Sequence, residues 1–332
     1  MMTKDNDTPT PQAVIPCSDL TEAIEFFTNR LGFRLDMIVP ADAPRAAVVS
    51  GNGIRLRLES GEAEESTYDA GELVVSRANS AEAWQVGRAG MEYRDLIPGR
   101  LGGRFIASHI RIPDGGEAPD YVHFHKVRFQ MIYCKAGWVR VVYEDQGEPF
   151  VLHPGDCVLQ PPEIRHRVLE SSYSGEGGLE VIEIGSPAIH ETFVEHELQL
   201  PTGRALPERL FGGQRFVRHI ANEAKWTDSP IAGCEMSDTG IAAATSGLAS
   251  ARVHRFVAKA SASKHRHEGE FLFLFVLNGE LELASREEGK RQLSVGDSCV
   301  IPAGQDFSLE AGAGLELLEV SLPADLLQAS SF

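Results

Sequence analysis

The sequence has no uninterrupted apolar run approaching the ~20 residues needed to cross a bilayer. Its first twelve residues, MMTKDNDTPTPQ, lack the basic-then-apolar order of a secretion signal. A cytoplasmic protein with no membrane partner is expected. Cysteine is scarce. Cys17, Cys134, Cys157, Cys234 and Cys299 are odd in number, scattered and never spaced as C-x-x-C, which argues against a disulfide frame or a thiolate zinc site and for reduced core residues. Positive charge is scarce as well: 31 Lys and Arg face 48 acidic residues, for a net charge of −17. No basic stripe could neutralise phosphates, so nucleic acid is not an expected partner.

What is present is an ordinary globular balance, 42% apolar and 24% charged, in a chain of 332 residues that suits two domains or more. Residues 13 to 59 open with the run AVIP, followed by Ser18 and Asp19 as candidate N-caps. In LTEAIEFFTNRLG, the residues Leu20, Ile24, Phe27 and Leu31 repeat at helical spacing and Gly32 ends the helix. FRLDMIVP, AAVVSG and, after a Gly-Asn-Gly turn, IRLRLE read as strands. This β-α-β-β-β order, with Phe26, Phe27 and the LGF of residues 31 to 33 at the helix end, resembles one module of the vicinal oxygen chelate (glyoxalase/bleomycin-resistance) family. That family takes His and Glu ligands from two modules, whereas here the first strand carries no histidine and only Glu59 falls where a ligand carboxylate would. A non-catalytic structural or dimerising module is expected over residues 10–60. Residues 61–95, rich in Gly, Ser, Ala and Glu without sustained periodicity, read as a linker.

From residue 96 onward the character changes to short strands separated by Gly, Pro and Asp, the cadence of β-barrels or sandwiches. A brief helix is expected around 190 to 198. This region repeats itself. His123-Phe124-His125 returns as His265-Arg266-His267, and Gly137 as Gly279, each 142 positions on. GDCVLQPPEIRH at 155 to 166 returns as GDSCVIPAGQDF at 296 to 307. Two copies of one β domain follow, over residues 96–200 and 201–328.

In the first copy, His123 and His125 alternate onto one strand face. Gln130 follows five residues later and Gly137 seven after that; then come Gly155, Pro161, Glu163 and His166. The spacing resembles the two motifs of the cupin superfamily, with Gln130 at a glutamate position and Glu163 in place of a glycine. The resemblance implies a bicupin: two tandem cupin β-barrels, mainly β, behind the small β-α-β-β-β module. It further implies that His123, His125 and His166 bind one divalent transition metal, with Gln130 as a fourth donor. Fe(II) is the favoured metal, and Zn, Mn and Ni are the others that suit imidazoles. The neutral amide of Gln130 leaves such a site one unit more positive than a carboxylate would, which favours an anionic chelating substrate. In the second copy Leu272 and Phe307 occupy the positions of Gln130 and His166, so a degenerate half is expected, with Glu270 as the one spare donor beside His265 and His267. The apolar run at 271 to 277 is expected to bury itself against the first domain.

Around the metal, strand alternation puts Arg128 on the face of Gln130, where it is the candidate anchor for a substrate carboxylate. Glu163 and Tyr133 are the nearest candidates for acid–base work, and Gln160 is a weaker one. His109 has an unsettled direction. HETFVEH at 190 to 196 is not a zinc-protease motif, because its histidines are six apart rather than four, and Glu191 and Glu195 read as solvated. His153, His219 and His254 read as surface or packing residues. The functional expectation is a metal-dependent enzyme acting on a small molecule. A non-haem Fe(II) dioxygenase cleaving an aromatic or diketone-like substrate leads, because it requires no separate acid or base. The alternatives are a non-redox Zn or Mn isomerase, lyase or hydrolase, and a small-ligand-binding bicupin without turnover. A homodimer is the expected assembly.

Overall fold

The computed structural model describes residues 13–61, 72–79, 84–87, 91–173, 178–261, 265–285, 289–326 and 328–329. The polar leader and much of the expected linker lie outside the described residues. No described helix is long and apolar enough to cross a membrane. All five cysteines are free thiols, four of them buried.

The N-terminal elements come in the expected order: strand Ala13–Pro16, helix Leu20–Glu25 running on into a π-helical turn at Phe26–Arg30, then strands Arg34–Val39, Ala46–Gly51 and Ile54–Glu59. Asp19 is the N-cap, its carboxylate accepting from the Glu22 backbone N–H at 2.9 Å. Leu20, Ala23, Ile24 and Phe27 close one face of the helix over Ala47, Val49 and Leu58. This unit is not a detached module. Strand Arg34–Val39 pairs with Thr192–Val194, which in turn pairs with His123–His125, so the N-terminal strands extend a ten-stranded sheet of the first β domain. The segment expected as a helix around 190 to 198 is therefore a strand at 192 to 194. Thr192, Phe193 and Val194 favour extended structure, and two flanking strand edges fix it there.

Across from that sheet lies a seven-stranded one, built on Phe129–Ala136 between Cys157–Leu159 and Leu179–Ser186. Its inner face packs Ile110, Cys134, Val158 and Val181 against Val139, Val141, Tyr143 and Leu152 of the first sheet. Its outer face carries Phe129, Met131, Tyr133, Leu159, Ile182 and Ile184. These pack on Ala251, Phe271, Phe273, Phe275, Leu318 and Val320 of the second β domain. The run at 271 to 277 thus divides by parity. Phe271, Phe273 and Phe275 face the first domain, while Leu272, Leu274 and Val276 face Leu281, Leu283 and Leu309 inside their own. An unbroken apolar sequence here reports a strand buried on both faces.

The expected linker is partly strand. Val74–Ser76 pairs with Ser298–Val300 of the second domain, and Glu92–Asp95 pairs with Ile106–Ile112 of the first. Strands of three or four residues held by backbone pairing leave little periodicity to read. A further contact crosses between the domains at equivalent places in the repeat. Arg128 binds Glu270, 142 residues on, through two hydrogen bonds of 2.8 and 2.9 Å, both side chains being nearly half exposed.

Inside the second domain His254 and Glu319 form a buried ion pair at 3.3 Å. Burial disfavours the imidazolium, but Glu319 outweighs it and holds the His254 pKa up at about 9. The folded pKa lies above the ordinary 6.5, so the pair's contribution is complete below about pH 6.5 and is lost as pH rises towards 9. Chemical-unfolding midpoints should fall over that interval, and more weakly so in His254→Gln. Truncating Phe273, fully buried between the domains, should cost about 3–5 kcal/mol, read as a lower urea midpoint for Phe273→Ala.

Candidate metal centre

The site begins with a three-residue strand. His123 and His125 point to the same side because strand side chains alternate, and the antiparallel register sets His123 directly opposite His166. The three rings are buried, with centroids 5.1 Å (His123–His125), 4.2 Å (His123–His166) and 5.1 Å (His125–His166) apart. One nitrogen from each lies within 4.8 Å of the other two.

What stands behind the rings decides which nitrogen faces inward. The His123 Nδ1 is 2.8 Å from the Tyr121 carbonyl oxygen, and the His166 Nδ1 is 3.0 Å from that of Ile164. A carbonyl oxygen can only accept, so in both rings Nδ1 carries the hydrogen and Nε2 the lone pair. The His125 Nδ1 is 2.9 Å from the Thr192 hydroxyl, which can donate or accept, so this contact orients the ring without choosing its tautomer. Asp120 braces the neighbourhood, accepting from the backbone N–H groups of Tyr121 and Val168. Three imidazoles oriented from behind, with one nitrogen of each gathered at one buried point, fit a divalent transition metal.

Gln130 comes from the facing sheet and is buried. Its amide donates to the Glu183 carboxylate at 3.3 Å, while its Oε1 meets no hydrogen-bond partner among the described residues, a state that a cation would relieve. The other expected residues are placed differently. Arg128 precedes its strand and turns outward to Glu270, so it does not line the cavity. Glu163 is exposed; it adopts φ +62° at the position where the resemblance expects glycine, and its backbone N–H donates to the His125 carbonyl at 3.0 Å. Tyr133 has the parity opposite to Gln130 and is packed between the two domains, where burial pushes its phenol well above the ordinary range. His109 is held between Arg94 and Glu180 outside the cavity. Glu195 is not solvated: it binds Arg165 at 3.1 Å.

A cavity of about 90 Å³ opens beside the triad. Its walls are mainly aliphatic, among them Ile106, Ile110, Ile132, Val139, Val141, Leu152 and Val181. The polar residues on it are Tyr93, Tyr143, Gln160, Glu183, His190, Asp42 and Arg167, besides the triad. Tyr143 stacks on His166, and its phenol is raised by burial. Arg167 lies between His166 and Val168, both directed inward, so alternation turns its side chain to the other face of the sheet. Gln160 had a signal in the sequence, its strand leading into Pro161. Glu183, Tyr143 and His190 had none, since no motif spacing ties them to the histidines. The N-terminal unit is not remote either: Pro40, Ala41 and Asp42 form part of the wall, and Asp42 is paired with Arg100.

The second domain keeps the register but not the ligands. His265 lies opposite Phe307 as His123 lies opposite His166, His267 bonds to the Ile301 carbonyl at 2.9 Å, and Glu270 is taken by Arg128. Among the described residues no second group of three metal-type ligands forms.

Two repeated two-sheet β domains, one with a buried imidazole triad on a short strand pair, define a bicupin. The profile described as "Cupin domain" matches residues 108–181 and again 252–320, one match in each β domain. Similar solved structures include a salicylate 1,2-dioxygenase from Pseudaminobacter salicylatoxidans, at 15% identity over 77% of this chain and 86% of that one, with a TM-score of 0.56. A point mutant of that dioxygenase, in complex with gentisate, gives 17% identity over 77% and 83%, TM-score 0.56. Lactobacillus farciminis oxalate decarboxylase, as its formate complex, gives 14% over 77% and 88%, also with a TM-score of 0.56. At such identities the likeness concerns the fold. A search of curated protein sequences gives no match.

Loading with a divalent transition metal followed by gel filtration and elemental analysis should find metal on the wild type and none on His166→Phe, which copies the second domain's arrangement. Thr192→Val, which strips the His125 Nδ1 of its partner, should weaken metal affinity by about 10–100-fold in a chelator competition.

Proposed function

We propose that the protein is a metal-dependent bicupin oxygenase. His123, His125 and His166 hold a non-haem Fe(II), Gln130 Oε1 stands as an additional donor, and the substrate is a small oxygenated aromatic or diketone-like molecule cleaved by dioxygen. The observation that carries this reading is the buried triad with its rings oriented from behind, standing at one side of a small apolar cavity. Bound iron would supply Lewis acidity towards a chelating oxygen pair and electron transfer to dioxygen. The chain supplies the rest. Tyr121, Ile164 and Thr192 keep the ligand rings from rotating. The aliphatic walls exclude water and hold a flat or compact substrate against the triad. The fold-level likeness to structures of dioxygenases and a decarboxylase is compatible with this reading and does not choose between them.

The expected preference for anions loses support. Gln130 is neutral, but Glu183 beside it returns a carboxylate to the cavity, and Arg128 lies elsewhere. A neutral or singly ionised chelator suits the walls better. Glu183 also favours a second reading, a non-redox Mn or Zn lyase or isomerase, because it places a group able to exchange protons where Glu163 and Tyr133 are not.

Untagged protein analysed for metal, loaded anaerobically with Fe(II) and assayed in an oxygen electrode should consume dioxygen with at least one of the catechols, salicylates, gentisates or diketones. Substrate conversion without oxygen uptake in the Mn- or Zn-loaded protein would select the second reading instead.

A further inference from the structure

We infer that His190 is a substrate-recognition residue, its Nε2 accepting a hydrogen bond from an O–H or N–H group next to the metal-binding oxygen of the substrate. This deepens the reading above and rests on it. His190 lies in the loop between strands Leu179–Ser186 and Thr192–Val194, is buried, and lines the same cavity as the triad. Its ring centroid is 5.4 Å from that of His125, nearly perpendicular to it.

The tautomer is fixed as it is in His123 and His166. The Nδ1 of His190 is 3.0 Å from the Pro187 carbonyl oxygen, which can only accept, so the ring hydrogen sits there and Nε2 keeps its lone pair. Among the described residues no hydrogen-bond partner meets that Nε2. The three grouped ligands do not include His190, so its lone pair is left for the cavity's guest rather than the metal.

An acceptor in an apolar cavity discriminates because a guest that cannot donate leaves it desolvated and unmet. The substrate class is thereby narrowed to oxygen chelators that retain a proton on the second heteroatom: singly ionised catechols, enols and α-hydroxy acids rather than their alkyl ethers.

Calorimetric titration of Zn-loaded protein with catechol and with 2-methoxyphenol tests the assignment, the readout being how the preference between them changes. Wild type should favour catechol. His190→Phe should lose about tenfold of that preference with metal content unchanged, and His190→Asn, which keeps a carbonyl acceptor, should regain part of it. His190→Leu replaces the phenylalanine variant if that does not fold. An unchanged preference in His190→Phe overturns the assignment while leaving the metal centre standing. Loss of metal from His190→Phe likewise overturns it, by making His190 part of the metal site. Metal-loaded wild type that binds neither probe overturns the chelating reading and this inference together.

Discussion

The backbone register of one three-residue strand constrains everything else in the first domain. His123–His125 is hydrogen-bonded on one side to the strand of His166 and on the other to that of Thr192. The first pairing brings the third imidazole opposite the first. The second delivers the hydroxyl that sets the His125 ring. A slip of one residue on either side would send the side chains to the opposite face and dissolve the group. The strands beyond it, including the N-terminal ones reached through Arg34–Val39, anchor this short segment in a sheet far larger than it could hold by itself.

The second domain serves as a wall for the first. Its phenylalanines at 271, 273 and 275 cover the outer face of the sheet whose inner face carries Gln130 and closes the cavity. With both faces buried, that sheet has little freedom to shift, and an active-site wall benefits from such support. The cost is visible in the repeat: the second domain has Phe307 where the first has His166 and Leu272 where it has Gln130, and its interior is filled by side chains.

Fold and ligand set were legible in the sequence to different depths. The β-α-β-β-β order followed from local signals, Asp19 at a helix start and Gly32 at its end. The repeat stood out because His123, His125 and Gly137 recur at a constant interval. Arg128 escapes the alternation that holds for Gln130 because its strand starts only at Phe129. Tyr133 failed for a related reason: parity alone says which residues share a face, not which face meets the cavity. Glu163 resembled an acid, yet it occupies a turn position with positive φ that points its side chain into solvent. The helix expected near 190 gives way to a strand because two neighbouring strand edges pair with it.

The sequence by itself determined the class of protein and the three imidazoles, since motif spacing along paired strands is a one-dimensional record of which residues alternate together. It determined the degeneracy of the second copy for the same reason. Only the tertiary structure decided what surrounds the triad. Glu183, Tyr143, His190 and the Pro40–Asp42 wall come from segments far apart in the chain, and nothing in their own neighbourhoods announces the meeting. Their convergence results from how two sheets close over one another and how the N-terminal strands join them, and such contacts leave no periodic mark in the sequence.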